Sequence, residues 1–266
     1  MTDRCYVYAI VPQGAPIPPR LGGFGGPLAT VPCRALAAAI SVIGASEIRT
    51  APANLVRHEA IVEALRRHGP ALPVRFGTVL PSLDAVVRAL AERYALLVAD
   101  MDRLADKIEF DIAVLWDPTH AVAAQRRDAE APDLAAAALG PGTRYLSARL
   151  AAQRRGDVLR SRAVALARAL DAELLGAALE SRHHVLPTPR LAVTAAYLLP
   201  GARAGAFREA FASARRTHAG ERLLLSGPWP PYSFVTAATE ACHPPPRTGA
   251  NGGQAADAAT VWPYGV

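Results

Sequence analysis

The stretch KIEFDIAVLWD, Lys107–Asp117, is where the hydrophobic period of the chain changes from that of a helix to that of a strand. Five apolar residues recur at every second position: Ile108, Phe110, Ile112, Val114 and Trp116. Glu109 and Asp111 lie on the opposite face, because successive side chains of a strand alternate. The pattern predicts a half-buried strand that follows directly on a helix.

The residues before this stretch have the spacing of a helix. Pro81 and Ser82 open it, and its apolar residues recur every three or four positions, which predicts one continuous buried face. That face contains Leu83, Val86, Val87, Leu90, Tyr94, Leu97, Val98, Met101 and Leu104. A shorter helix is predicted over 52–68, where RRHG supplies a basic last turn and a glycine stop.

The remaining segments alternate between the two kinds of pattern. Strands are predicted at 5–11, 28–33, 71–80, 190–200 and 221–229, whereas 36–43 fits a strand or a short helix. Helices are predicted from Thr143 to about Glu180 and over 201–218. The second half therefore has the order helix, strand, helix, strand, which indicates an α+β or ferredoxin-like arrangement in two parts.

This organisation predicts two domains in the 266 residues. We expect an N-terminal α+β domain over 1–120, a linker over 121–141, and a C-terminal α+β domain over 142–238 that begins with the long helix. The Ala-, Pro- and Gly-rich residues 239–266 are predicted to be a disordered tail.

The composition excludes several classes of protein. The net charge of +6 comes from scattered arginines rather than one basic run, so nucleic-acid binding is not expected. Cys5, Cys33 and Cys242 are odd in number and widely spaced, which fits a reducing cytosol and no zinc site. The N-terminus lacks the layout of a signal peptide, and no apolar run is long enough to span a membrane. We therefore expect a soluble cytoplasmic protein with no cofactor.

Three motifs resemble parts of metal-binding or phosphate-binding sites, but each lacks features that such a site needs. HEAIVE places Val62 where a zinc protease needs its second histidine, so His58 is interpreted as a structural histidine. GGFGG, residues 22–26, is followed by Pro27 and a strand instead of a helix, so it is interpreted as a flexible loop. The adjacent histidines 183–184 are interpreted as a solvated helix end. We expect no catalytic residue and no metal ligand.

Two unusual stretches remain, LPVRFGTVL (72–80) and GPWPPYSF (227–234). The first has an arginine inside an apolar strand, which there requires a polar partner, followed by a glycine that allows close backbone approach. The second holds three prolines that keep its aromatic rings in fixed directions. The residues singled out are Arg75, Phe76, Gly77, Trp229, Tyr232 and Phe234. They are predicted to form either a domain corner, which is favoured, or a partner-binding surface.

These two stretches together resemble hallmark segments of the gas vesicle synthesis protein L/F family. YVYAIVP resembles the first strand of the family, HEAIVEAL its first long helix, and GTRYLSARL the start of its second-half helix. The resemblance covers about Tyr6–Val235. One departure is EFDIAV, 109–114, which stands where the family has an EWGVKV-like run. Phe110 occupies the tryptophan position and Ala113 the lysine position, which removes any role of that lysine.

The resemblance implies a two-domain α+β protein whose second domain is a modified ferredoxin-like fold. It also implies a non-enzymatic accessory protein of gas vesicle assembly. Its partners would be the small hydrophobic shell protein and other accessory proteins, with no nucleic acid or lipid membrane, and it would be cytoplasmic and associated with gas vesicles. The alternative is a small-molecule-binding or hydrolytic α+β protein whose site is assembled at long range, for instance by a pocket that joins His58 to a carboxylate.

Overall fold

The structure, a computed structural model, describes residues 4–18, 21–44, 48–116, 141–186, 188 and 190–236. Within them the chain forms two compact units: residues up to 105 together with 234–236, and residues 106–233. The predicted linker, apart from Pro141, and the predicted tail lie outside the described residues.

Unit 1 is built on an antiparallel sheet whose central strand is β1, Arg4–Pro12. It pairs with β3, Leu36–Ile43, which in turn pairs with β2, Ala29–Cys33. On its other side β1 pairs with two short strands, β4, Leu72–Pro73, and β5, Val79–Leu80. Every residue of β1 from Cys5 to Val11 is buried, as the continuous apolar run predicts.

The described residues up to 105 in unit 1 form three helices. Helix α1, Pro52–Arg67, begins with proline in its first turn and buries His58 and Ile61. The helix predicted after Pro81 is two helices, α2, Leu83–Glu92, and α3, Tyr94–Arg103, which are interrupted at Arg93. The predicted buried face is therefore not continuous, and Leu83 and Val87 are exposed. The N-terminus of α2 is capped as expected, since the Ser82 hydroxyl accepts the Ala85 N–H at 3.2 Å.

The stretch predicted as one strand over 71–80 is interrupted. Between β4 and β5 the chain makes a turn, and Arg75 lies in this turn on the surface instead of inside an apolar strand. Gly77 has φ +83°, a conformation that glycine adopts without steric cost. The prediction missed the turn because its flanking apolar residues continue the hydrophobic run.

The described residues of unit 2 form a four-stranded antiparallel sheet with two helices. Its strands are β6, Lys107–Trp116; β7, Glu180–Val185; β8, Leu191–Pro200; and β9, Glu221–Trp229, in the spatial order β7-β8-β6-β9. Strand β6 is central, with β8 and β9 as its neighbours. It therefore belongs to unit 2, although the predicted N-terminal segment 1–120 includes it.

The helices of unit 2 are α4, Pro141–Leu174, and α5, Ala204–Thr217. The apolar face of β6 packs on them, as its alternating pattern predicts, and Phe110 stacks on Phe207 of α5 with ring centroids 5.3 Å apart. Phe110 is fully buried there. Within the described residues, unit 2 has the element order β6, α4, β7, β8, α5, β9.

The adjacent histidines do not form a solvated helix end. Helix α4 stops at Leu174, and His183 and His184 lie in strand β7. His183 Nε2 is 2.9 Å from the Asp171 carboxylate of α4. This partner lies twelve residues earlier, so a search for local ligands could not find it.

Strand β9 ends in an irregularity at Gly227 and Pro228. Glu109 is opposite Trp229, whereas Asp111 is opposite Ser226, so the two strands lose register between these pairs. Gly227 has φ +113°, and a Cβ atom there would lie 2.8 Å from the Glu109 carbonyl oxygen. Only glycine fits this conformation and this distance.

We predict that Gly227→Ala destabilises the protein by about 1–3 kcal/mol, because it adds both backbone strain and a clash with the backbone of β6. The measurement is the free energy of urea unfolding. Gly220→Ala is the matched control, since a Cβ atom at Gly220 meets nothing within 4 Å. Equal stability of the two variants would contradict the prediction.

Candidate functional site

The first predicted segment is a turn fixed by its own backbone. The Arg75 carbonyl oxygen accepts the Thr78 N–H at 3.3 Å and the Thr78 hydroxyl at 2.8 Å. Arg75 and Gly77 are exposed, whereas Phe76 is half-buried. The turn therefore presents an arginine to the solvent and directs a phenylalanine ring inwards.

Tyr6 and His58 fix this turn by hydrogen bonds from the interior of unit 1. The Gly77 N–H donates to the Tyr6 hydroxyl at 2.9 Å, and that hydroxyl lies 3.0 Å from His58 Nδ1. His58 Nε2 lies 2.9 Å from the Val74 carbonyl oxygen. A carbonyl oxygen can only accept, so Nε2 carries the proton and Nδ1 accepts from Tyr6. Both ring nitrogens of His58 thus bind within unit 1, and this histidine is structural, as predicted.

Burial lowers the pKa of His58 to about 4, and the hydrogen bond to Val74 opposes this only in part. Burial likewise raises the pKa of the Tyr6 hydroxyl. Both side chains are therefore neutral near pH 7, and the hydrogen bonds that fix the turn carry no net charge.

A second loop is held in the same way. The Phe24 N–H donates to the Tyr8 hydroxyl at 2.6 Å, Tyr8 lies 2.9 Å from the Ser41 hydroxyl, and Ser41 donates to the Phe24 carbonyl at 2.8 Å. A Cβ atom at Gly23 would lie 2.5 Å from Ser41 Cβ. The GGFGG stretch, predicted to be a flexible loop, therefore has a packed and hydrogen-bonded centre.

Five rings form one cluster beneath the two loops: Tyr6, Tyr8, Phe24, His58 and Phe76. Their neighbouring centroids are 4.8–6.3 Å apart, the range of favourable aromatic contacts. The Arg57 guanidinium lies 5.3 Å from the Phe24 ring and donates to the Gly23 carbonyl at 2.8 Å. We call the surface formed by residues 22–26 and 75–77 the two-loop surface.

We predict that acid destabilises the protein through His58. The unfolded histidine binds a proton below pH 6.5 and the folded one only below about 4, so stability is lost as the pH falls through this window. Between pH 7 and pH 4 the loss is about 3 kcal/mol. Urea unfolding at both pH values measures it.

In His58→Gln this part of the pH dependence should disappear, because glutamine can form similar hydrogen bonds without titrating. His68→Gln, at an exposed position after α1, is the control and should keep the wild-type dependence. A His58→Gln variant with the wild-type dependence would show that His58 is not the responsible group.

The second predicted segment begins at the end of β9. Trp229 and Tyr232 are half-buried, and residues Tyr232–Phe234 form a short 3-10 turn. The Ser233 N–H and hydroxyl both donate to the carboxylate of Glu109, at 2.8 and 2.6 Å. Arg182 of β7 donates to the Ser233 carbonyl oxygen. The segment after the last strand is therefore fixed to the sheet of unit 2 through one serine.

The Glu109 side chain is only 1% exposed. Burying a carboxylate costs free energy unless it accepts hydrogen bonds. Its neighbour on the same face, Asp111, has a pKa raised to about 9 by burial and by the charge of Glu109. Burial also raises the pKa of Glu109, opposed by the hydrogen bonds from Ser233. Near pH 7 Asp111 is therefore protonated and stabilises the Glu109 carboxylate by a hydrogen bond.

In unit 1, residues 234–236 meet a second buried carboxylate. Asp100 of α3 accepts the Thr236 N–H at 2.6 Å and the Thr236 hydroxyl at 3.0 Å. Arg103 donates to Asp100 at 2.9 Å and to the Phe234 carbonyl at 2.6 Å. Phe234 is fully buried. Each unit thus binds its part of the segment through one carboxylate and one arginine.

We predict that Ser233→Ala lowers the free energy of unfolding by about 1.5–3 kcal/mol, because a buried carboxylate loses a hydrogen bond. Denaturant unfolding measures the loss. Ser226→Ala, at an exposed position of β9, is the control and should change stability by less than about 0.5 kcal/mol. Similar losses in both variants would contradict a special role of Ser233.

The structure places the six predicted residues in different surroundings. Arg75, Phe76, Gly77 and Phe234 lie in unit 1, and Trp229 and Tyr232 lie in unit 2. The predicted residues did not include Glu109, Ser233 or Asp100. Glu109 and Asp111 were interpreted as the solvent side of a strand. From the sequence, two acids on one face of a strand look solvent-exposed. Nothing in the local pattern shows that Ser233, far along the chain, donates hydrogen bonds to Glu109.

The described residues contain neither a cluster of metal ligands nor a helix that could span a membrane. There, no group of three or more His, Cys, Asp or Glu side chains is arranged to hold a metal ion. The described helices include none with the length and hydropathy needed to cross a membrane.

Comparison with known proteins identifies the family. The model for "Gas vesicle synthesis protein GvpL/GvpF" matches residues 4–236, which include the two-loop surface and the segment after β9. The chain belongs to the GvpL/GvpF family. Gas vesicle protein L of Streptomyces sp. (strain CB03234) is 33% identical over 91% of this chain and 97% of its own. Gas vesicle protein F of the same strain is 31% identical over 86% and 98%.

Solved structures of this family share the fold. The crystal structure of GvpF from Anabaena sp. PCC7120 has a TM-score of 0.65 at 22% identity and covers 89% of this chain and 98% of its own. GvpF from Microcystis aeruginosa gives 0.66, also at 22% identity, over 88% and 99%. The mixed helix and sheet architecture predicted from the sequence is thereby confirmed.

Proposed function

We propose that this GvpL/GvpF family protein is a non-catalytic accessory factor of gas vesicle assembly. It binds the small hydrophobic shell protein and other accessory proteins, acts in the cytoplasm and associates with gas vesicles. The family match over residues 4–236 carries this proposal. The absence of a catalytic role is supported by His58, the strongest candidate base, whose two ring nitrogens both bind within unit 1.

We also propose that unit 2 is a modified ferredoxin-like domain. The element order β6, α4, β7, β8, α5, β9 and the antiparallel strand order β7-β8-β6-β9 support this assignment, because that fold has the same β-α-β-β-α-β order. The domain division proposed here follows the two units, with β6 as the first strand of the ferredoxin-like domain.

The two-loop surface is proposed as one contact for the shell protein. Arg75 is exposed on a turn whose backbone is held by Tyr6, so a partner that binds there meets a loop that is already ordered. A shell protein is apolar and would aggregate if free. The edge strands β2 and β9, which end the two sheet orders, offer a further means of shielding it by strand pairing.

Trp229, Tyr232 and Phe234 are proposed mainly as a structural corner that fixes the exit from the last strand. Support comes from Phe234, which is fully buried, and from the half-buried state of Trp229 and Tyr232. A contact role remains for the exposed parts of Trp229 and Tyr232.

Co-expression with the small shell protein tests the function. We predict that the two proteins co-purify and that Arg75→Ala, shown by its melting temperature to be folded, weakens the association, because Arg75 is exposed on the two-loop surface. Arg88→Ala, an exposed arginine of α2, is the matched control and should bind as wild type. A folded wild-type protein that does not associate with soluble shell protein would contradict the proposal.

The same experiment with Trp229→Ala separates a corner from a contact. A fall in melting temperature shows a structural residue. Unchanged stability with lost co-purification shows a contact residue.

A further inference from the structure

In the N-terminal half of helix α4, no residue whose burial is described belongs to the core of unit 2. The 34 residues of α4 span about 51 Å, at a rise of about 1.5 Å per residue. Its buried positions all lie in the C-terminal half: Ala163, Leu166, Ala167, Leu170 and Leu174. In 141–158, every residue whose burial is described is exposed or half-buried. We call these residues the outer half of α4.

The outer half exposes large apolar side chains. Tyr145, Leu146, Leu150 and Val158 are 63%, 58%, 54% and 68% exposed. Most helices in proteins are stabilised by packing an apolar face rather than by propensity alone. Leu146 and Leu150 are one turn apart, so their side chains lie next to each other on one stripe. These features are those of a helix that packs on another chain.

The outer half is also strongly basic. Its sequence holds four arginines, Arg144, Arg149, Arg154 and Arg155, against one acid, Asp157. Two of these arginines, Arg149 and Arg154, are exposed, so the cations face the same solvent as the apolar side chains. A partner with acidic side chains beside an apolar stripe would complement both features.

The arginines do not lie on a separate face of the helix. At about 100° per residue, Arg149 projects between Tyr145 and Leu146, and Arg154 between Leu150 and Val158. A helix that lies on a membrane separates its cations from its apolar side. Arginine and tyrosine interleaved with apolar side chains are instead typical of protein interfaces.

We propose that the outer half of α4 is the docking surface for an acidic amphipathic helix of another gas vesicle protein. This inference rests on the proposed function and specifies the kind of partner and the surface that binds it. The partner helix packs its apolar stripe on Leu146 and Leu150, and its carboxylates bind Arg149 and Arg154.

The test uses the full chain co-expressed in turn with each of the other gas vesicle proteins of its organism. The variants are Leu146→Gln/Leu150→Gln and Arg149→Glu/Arg154→Glu, all at exposed positions where the new residues favour helix. We expect at least a tenfold weaker association with one partner for each double variant, with unchanged melting temperature. Glu→Arg changes in the partner's acidic helix should restore binding to the Arg149→Glu/Arg154→Glu variant.

Arg168→Glu and Leu175→Gln are the matched controls. They lie at exposed positions in the packed half of α4 and just beyond its end, and should bind as wild type. Wild-type association retained in both double variants would overturn the docking surface and leave the proposed function intact. If the wild-type protein associates with none of the gas vesicle proteins, both proposals fail.

Two further probes distinguish other ligands of a basic helix. Vesicles of phosphatidylglycerol and phosphatidylcholine, and a poly(U) RNA, are each mixed with the wild type and with Arg149→Glu/Arg154→Glu. We expect no binding that depends on these arginines. Binding to either probe that is lost in the variant, without a protein partner, would overturn the proposal.

Discussion

The hydrogen bonds that Ser233 donates to the buried carboxylate of Glu109, in the central strand of unit 2, fix the position of the C-terminal segment after β9. A carboxylate that is 1% exposed is tolerated only when donors surround it. Ser233 supplies two of these donors, and protonated Asp111 supplies another. The prolines of GPWPPYSF direct the chain so that Ser233 reaches this position, which explains why a stiff segment follows the last strand.

In unit 1, neutral side chains rather than a carboxylate form hydrogen bonds to the loop backbone. The hydroxyls of Tyr6 and Tyr8 and the imidazole of His58 satisfy the backbone of two glycine-containing loops. Because these groups are neutral near pH 7, the loops are fixed without a buried charge. The aromatic cluster therefore gives the two-loop surface a defined shape, as the contact proposed for it requires.

Sequence patterns predicted those features that depend on neighbouring residues. The alternation in 107–117 predicted β6, and the apolar run at 5–11 predicted β1. The pattern did not show that α2 and α3 are interrupted at Arg93, that Arg75 lies in a turn, or that 180–185 is a strand. Asp171 with His183, and Glu109 with Ser233, are pairs whose separation along the chain leaves no local signal. The family resemblance drew attention to residues 72–80 and 227–234, but the hydrogen bonds that fix these segments join residues far apart along the chain.

The order of the strands has a consequence for synthesis on the ribosome. Strand β6 is central in its sheet, yet its neighbour β9 is made more than one hundred residues later, and two of the donors to Asp100 come from Thr236. Neither unit can complete its hydrogen bonding before the chain has been made as far as Thr236. Completion of the fold therefore waits for residues 221–236, as expected where paired residues lie far apart along the chain, and the unfinished chain exposes apolar strands during that interval.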